Sequence, residues 1–467
     1  MKVSAIFDIG KTNKKFFLFD ENYNQVFKEY CHFEEIEDDD GYPCDDLSKI
    51  VAWTKEMFNK TLRDQRFEVK SLNFSTYGAS FVHIDKNYQP VTPLYNYLKP
   101  LPDEILNSFY EKYGDELTIA NETASPPLGM LNAGMQLYWL KHAKPSIYQS
   151  IRWSLFLPQY LSLQFTDAPF NEYTGIGCHT GLWDFKKQDY HRWVYAEGID
   201  KILPPIRYTD TNFARTFDGR SIKVGLGIHD SSSALLPYIK ADKKPFLLIS
   251  TGTWSISLNP FNHEILTRED LHHDCLNFLG IDGKPVRASR LFLGAEYRYQ
   301  MEQLHLHYNK DHGYHRKIAF NAEIHSRLKK HYQRLFRFNH IQSTLEQPDS
   351  TSIDTFPTFE EAYHQLMLEL MELQVQSIKR AIGNSKIAKI YVDGGFADNQ
   401  IYVKLLSYEF PQYKLRTTRS PLGSALGAYI VMSSPPLDMK FLKMKYAMRK
   451  HRHVESDKSE TSDKTIK

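Results

Sequence analysis

Asp8-Ile9-Gly10-Lys11-Thr12-Asn13 gathers a carboxylate, a glycine and a lysine in one turn at the end of an apolar run. An aspartate so placed can hold Mg²⁺, a glycine lets a phosphate approach backbone N–H groups, and a lysine supplies countercharge. A second turn, Ser250-Thr251-Gly252-Thr253, offers hydroxyls and backbone donors around one glycine, which is the composition of a phosphate cradle. A third segment, Asp393-Gly394-Gly395-Phe396-Ala397-Asp398-Asn399, follows an apolar strand pattern and precedes a helical one. Its glycines permit close approach of a flat ligand, and the helix start beyond them attracts anions. Asp230, in Gly227-Ile228-His229-Asp230-Ser231-Ser232-Ser233, opens a small-residue helical pattern. A helix N-terminus keeps a carboxylate ionised, which suits a general base; the plainer reading of the same residue is an N-cap. Gly10-Lys11-Thr12 imitates the end of a Walker A loop, but Ala5 stands where a glycine is required and a strand pattern follows in place of a helix, so a P-loop is not expected.

These turns need elements to hold them. The first sits in a hairpin pattern, Val3 to Phe7 followed by Phe16-Phe17-Leu18-Phe19, and the second in another, Phe246-Leu247-Leu248-Ile249 followed by Trp254 to Leu258. A strand-turn-strand unit returning after about half the chain points to two similarly built domains, since a solenoid would repeat every 20 to 50 residues or so. Further strand patterns run over Leu72 to Thr76, Phe81 to Ile84 and Ile390 to Val392, and helical spacing over Met135 to His142 and Phe359 to Ala381. The class is mixed α/β. Domains are expected over 1–243 and 244–435, followed by a charged, flexible tail over 436–467. The stretch from Leu304 to Gln347 reads as an insertion or a surface helical segment.

At 467 residues the chain suits two domains, and 42% hydrophobic with 24% charged residues is ordinary globular composition. A formal charge of +2 gives no field that would recruit nucleic acid or a membrane. The four cysteines, Cys31, Cys44, Cys178 and Cys275, show no metal or disulfide spacing. No apolar run approaches the roughly 20 residues of a membrane span, and the N-terminal run is too short for a signal peptide, so a cytoplasmic protein is expected. His272-His273 and His305, His307, His312 and His315 lie in polar stretches without the partners of a metal site. The basic run from Lys440 to Arg452 lacks an aromatic platform for nucleic acid and reads as solvated.

Taken in order, Asp8-Ile9-Gly10, Thr76-Tyr77-Gly78, Gly227-Ile228-His229-Asp230, Ser250-Thr251-Gly252-Thr253 and Asp393-Gly394-Gly395 resemble the FGGY carbohydrate kinases of the actin-like ATPase superfamily. Within that family the chain is most similar to the rhamnulokinase branch, through Ser75 to Val82, Leu157 to Ser162, Glu172 to Thr174 and Gly294 to Tyr299. The resemblance covers residues 1 to about 432. It implies two actin-like (ribonuclease H-like) domains with a cleft between them, closing around a sugar that accepts the terminal phosphoryl group of ATP. It further implies Mg²⁺ at Asp8, with Gly10, Lys11, Thr12 and Asn13 near the transferring phosphate. Thr251, Gly252 and Thr253 would bind the β- and γ-phosphates, Gly394, Gly395 and Asn399 the adenosine, and Gly78, Ala79, Ser80 and His229 the sugar, with Asp230 as catalytic base. The implied partner is a small sugar, neither nucleic acid nor membrane, and the implied assembly a monomer or homodimer. An L-rhamnulose-like ketose is favoured; L-fuculose, L-xylulose and L-ribulose remain open, as does a non-sugar actin-like ATPase or sensor. Tyr97 and Ser80 stand where aspartates are common in the family, and Leu422 where a glutamate is.

Overall fold

Lys2–Ile9 forms a strand whose residues after Lys2 are all buried, the pattern of a strand at the centre of a sheet. It pairs antiparallel with Lys14–Asp20 and parallel with Glu68–Thr76, while Lys14–Asp20 carries Gln25–Cys31 on its outer side. Beyond Glu68–Thr76 a fifth strand runs parallel in two pieces, Arg220–Gly225 and Ile228–His229. The break falls at Gly227, where φ is +85° and a Cβ would lie 2.7 Å from Pro158, so only glycine fits. The structure, a computed structural model, describes residues 1–341, 346–419, 422–433 and 436–451.

The second sheet repeats this plan. Phe246–Thr251 is central, antiparallel to Ser255–Asn259, which pairs with Pro285–Leu291; on its other side Lys389–Gly394 and then Lys414–Thr417 run parallel. The five strands named in each sheet thus read third, second, first, fourth, fifth, with Asn212–Phe217 added at an edge of the first sheet and Cys275–Leu279 and Arg449–Lys450 at the edges of the second, and the hairpin repeat seen in the sequence is the signature of a duplicated actin-like fold. The long helix Phe359–Ile382, capped by Thr358, covers the second sheet with Leu366, Leu370 and Ile378 in the core.

The halves meet through two helices, Asp230–Ala241 and Gly423–Ile430. Gly427 permits the approach: a Cβ there would lie 1.8 Å from the carbonyl oxygen of Ser233. Asn73, buried in the first sheet, donates to the Ala428 carbonyl at 2.7 Å and accepts from the Gly227 amide at 2.9 Å. Although Asp230–Ala241 precedes residue 243, its Leu235, Leu236 and Tyr238 share a core with Phe246, Leu248 and Tyr391 of the second sheet. Gly427→Val should lower the free energy of unfolding by about 3 kcal/mol, measured as a shift in denaturant midpoint; an unchanged midpoint would mean that this contact carries no weight.

One expectation is corrected. The segment after 435, read as a flexible charged tail, folds as far as it is described. Asp438 caps the helix Met439–Lys445, Leu442 and Tyr446 are buried in the core just named, and Arg449–Lys450 pairs with Lys414–Thr417. Leu437, Phe441, Leu442 and Tyr446 among the lysines are enough to fix it, because the second sheet offers an edge and a core to receive them. Arg452 and the rest of 452–467 lie outside the described residues.

Candidate active site

The register of the first hairpin sets Asp8 opposite Lys15. Lys15 Nζ lies 3.4 Å from Asp8 Oδ2, and Ser424 Oγ, from the helix Gly423–Ile430, donates to Asp8 Oδ1 at 2.5 Å. Burial pushes the Asp8 carboxyl above the usual carboxylate range; Lys15 and Ser424 oppose this and the charge of Asp230 adds to it. The turn closes through the Gly10 amide, which donates to the Asn13 carbonyl at 2.9 Å, leaving Thr12 and Asn13 exposed beside it. Lys11, expected near a transferring phosphate, turns instead to carboxylates: Nζ donates to Glu35 Oε1 at 2.9 Å and to Asp45 Oδ2 at 2.7 Å. Buried Asp45 also accepts from Lys14 Nζ at 2.7 Å and from the Tyr77 hydroxyl at 2.8 Å. The cation facing Asp8 is therefore Lys15, which the sequence reading passed over although counting across the hairpin would have found it.

A buried carboxylate with a raised pKa costs the folded state stability once the unfolded chain has ionised. That cost appears as pH rises from the unfolded value through the folded one, and it persists at neutral pH. Asp8→Asn removes it. The variant should melt at a higher temperature than the parent at pH 7.5, the gap narrowing as the pH falls toward that of a free carboxyl; a lower melting temperature at pH 7.5 would contradict the assignment.

Asp230 is the first residue of its helix, with its side chain 37% exposed. Its Oδ1 lies 3.3 Å from His229 Nε2, which is also 3.3 Å from Cys178 Sγ. Burial lowers the His229 pKa, Asp230 opposing, so the ring is neutral; its Nδ1 is buried without a partner among the described residues. Gly78 is where that ring packs, since a Cβ would lie 2.8 Å from His229 Cδ2 and Nε2. Ala79, at φ +57°, turns its carbonyl to Gln136 Nε2 at 2.7 Å, and Ser80 is buried. Tyr97 packs edge-on to Tyr77. Burial raises its phenol, Lys11 opposing and Asp230 and Asp45 adding, which places Tyr97 within electrostatic reach of the Asp230 carboxylate.

The second domain supplies the opposite wall. Asp230, Ser231 and Ser424 line a cavity of about 230 Å³ together with Ser250, Phe278 and Asp393. Thr251 Oγ1 donates to the Asp393 carbonyl at 2.6 Å and accepts from the Phe396 amide at 3.0 Å, locking the two glycine turns together. Gly394, at φ +89°, is required here because a Cβ would lie 1.9 Å from the Thr251 carbonyl oxygen. Gly252 and Gly395 by contrast face open space and border a larger cavity of about 580 Å³, with Arg298, Tyr297, Tyr363 and Asn399. Thr253 sits at its edge, its Oγ1 accepting from Arg298 Nη2 at 3.3 Å. Asn399 caps the helix Gln400–Glu409 and donates to the Tyr363 hydroxyl at 2.8 Å. His315, set aside in the sequence as part of a polar stretch, lines the same cavity with its Nδ1 3.2 Å from His305 Nε2. Of the two cavities, the one lined by Asp230 and Asp393 has the carboxylates and hydroxyls that phosphoryl chemistry uses, and the one at Gly252 and Gly395 has the open backbone and aromatic rings that suit a flat base. The hard oxygen donors of Asp8, with Asp230 beside it, suit Mg²⁺.

Residues 3–232 match the model of the N-terminal domain of the FGGY family of carbohydrate kinases, and residues 243–439 that of the carbohydrate kinase FGGY C-terminal domain. A rhamnulokinase from Halalkalibacterium halodurans is 24% identical over 265 residues, which are 55% of this chain and 56% of that protein. An L-fuculokinase from Haemophilus influenzae is 22% identical over 314 residues, 59% of this chain and 64% of that protein. The chain spans about half the length of the curated rhamnulokinases it matches. Among solved structures, a carbohydrate kinase from Novosphingobium aromaticivorans superposes with a TM-score of 0.78 at 19% identity, over 97% of this chain and 94% of that one. A ligand-bound xylulose kinase from Lactobacillus acidophilus gives 0.74 at 14% identity, over 92% and 89%. At these identities the superpositions carry the fold alone.

Proposed function

The chain belongs to the FGGY family of carbohydrate kinases, and from that premise we propose that it transfers the terminal phosphoryl group of ATP to a hydroxyl of a ketose, with Asp230 as general base. The observation that carries this reading is the shared cavity in which the Asp230 side chain, from one domain, meets Ser250 and Asp393 from the other. A kinase needs its base in that gap; an N-cap that served its helix alone would gain nothing from it.

Phosphoryl transfer passes through a loose transition state, so the protein's work is alignment and neutralisation of spreading charge. Asp230 orients the attacking hydroxyl and takes its proton late. Lys15 faces the charge that grows on the equatorial oxygens. Asp8, with Asp230 beside it, would hold Mg²⁺, which would supply neutralising charge to the phosphates. Thr251 and Thr253 frame the phosphates, and Gly394, Gly395 and Asn399 the adenosine. Neutral His229, beside Gly78, Ala79 and Ser80, presents its Nε2 edge to the sugar and braces Asp230. We take the reaction to be cytoplasmic and the enzyme to be a monomer or homodimer with domains meeting near residue 243. Among the described residues no helix is long and apolar enough to cross a membrane.

An L-rhamnulose-like deoxyketohexose is the favoured acceptor, supported by the rhamnulokinase matches. ADP release measured with L-rhamnulose, L-fuculose, L-xylulose and L-ribulose, the phosphorylated carbon identified by NMR, tests this. The expected order puts L-rhamnulose first in kcat/KM; a higher value for L-fuculose or a pentulose would reassign the sugar, and release indifferent to all four would replace the kinase by an ATPase.

A further inference from the structure

A third cavity, of about 500 Å³, lies at the domain junction, with Pro126 and Leu128 of the first domain on one side and residues of the second on the other. It shares no lining residue with the two cavities of the transfer site. Its cations are unevenly answered. Arg290 is matched by Asp274, with Nη2 at 2.6 Å from Oδ1 and Nε at 3.2 and 3.1 Å from the two oxygens. Arg380, on the last turn of Phe359–Ile382, makes no hydrogen bond or ion pair among the described residues. His273 lines the same wall; burial lowers its pKa and Arg380 lowers it further, with Glu269 opposing, so the two groups stand in electrostatic contact.

The neighbouring carboxylates do not relieve this. Asp270 closes the capping box with Thr267 and stands 3.5 Å from Arg287, and Glu269 is exposed outside the cavity. A guanidinium and an imidazole turned to one half-enclosed space without a counterion are what an oxyanion requires, and the guanidinium fork matches phosphate geometry. Trp254 stands on the same wall, flanked by Phe292 at 4.5 Å and by the Arg290 guanidinium at 5.4 Å, yet 41% exposed. An exposed indole face beside an anion pocket is the surface that the C–H face of a sugar covers.

The geometry points to a second ligand site that takes a small phosphorylated carbohydrate, Arg380 and His273 meeting its phosphate and Trp254 its carbohydrate body. Because Pro126 and Leu128 belong to the other domain, the occupant touches both halves of the molecule. The inference does not rest on the reaction proposed above, since its site and its test are separate from turnover.

Isothermal titration tests it on the full chain saturated with a non-hydrolysable ATP analogue, so that the phosphate positions of the transfer site are filled. The probes are D-fructose 1-phosphate, inorganic phosphate and D-fructose. Fructose 1-phosphate should bind with one site per chain, more tightly than inorganic phosphate, and D-fructose should not bind measurably. Arg380→Gln, on a partly exposed helix turn, should weaken fructose 1-phosphate by about ten-fold or more, and His273→Gln should weaken it in the same direction. Trp254→Ala should weaken fructose 1-phosphate but leave inorganic phosphate unchanged. Unaltered affinity in Arg380→Gln and His273→Gln, with native circular dichroism, would overturn the site; equal affinity for inorganic phosphate and fructose 1-phosphate would overturn its carbohydrate half.

Discussion

Asp230→Asn should lower kcat by about 10²- to 10⁴-fold while leaving the dissociation constants of ATP and sugar within about two-fold. The amide keeps the shape and an oxygen for the bonds that Asp230 now shares with His229 and Ser231, so the helix Asp230–Ala241 and the cavity it borders survive the change. What it loses is the basic oxygen that accepts the hydroxyl proton. His229, not Asp230, stands at the N-cap of this helix, and no side chain caps it, so a merely structural role for Asp230 would leave kcat near its parent value. Steady-state kinetics with binding measured separately by titration distinguish the two outcomes.

The second large effect concerns which lysine serves the phosphates. Lys15→Met should reduce kcat/KM for ATP by about 10²- to 10³-fold, because Lys15 is the cation that faces Asp8 and, through it, the charge that develops during transfer. Lys11→Met should cost far less activity. Its ammonium is already committed to Glu35 and Asp45, and Asp45 would keep Lys14 and the Tyr77 hydroxyl after the change. Equal losses in the two variants would mean that Lys11 leaves its carboxylates when nucleotide binds, and the first reading of that turn would be restored.

Local pattern reached far into this molecule. Both glycine turns and both hairpins stood out because apolar runs broken by a single glycine are short-range features, and their recurrence exposed the duplication. The long helix ending at Ile382 was legible for the same reason: Leu366, Leu370 and Ile378 repeat at helical spacing. What stayed hidden depends on contacts between distant residues. Asp45 is one acid among several between Glu34 and Asp46, and only its burial against Lys14 and Tyr77 singles it out. Cys178 meets His229 across 51 positions of chain, and Ser424 meets Asp8 across 416, so neither neighbour is visible from spacing. Lys11 was preferred to Lys15 because it sits closer to Gly10, whereas strand register, which puts residue 15 opposite residue 8, decides the matter. The stretch 436–451 was misjudged on composition; Lys440, Lys443 and Lys450 are exposed, but Leu442 and Tyr446 find a core that lies more than two hundred residues back at Tyr238.

Single-turnover ³¹P NMR with Mg·ATP gives the most direct test of a base working between the two domains. With a ketose substrate present, the γ-phosphate signal should pass into one new phosphomonoester resonance at the pace of ADP formation, and without sugar it should persist. Conversion of that signal to inorganic phosphate at the same rate with and without sugar would show that no alcohol is activated in the cleft.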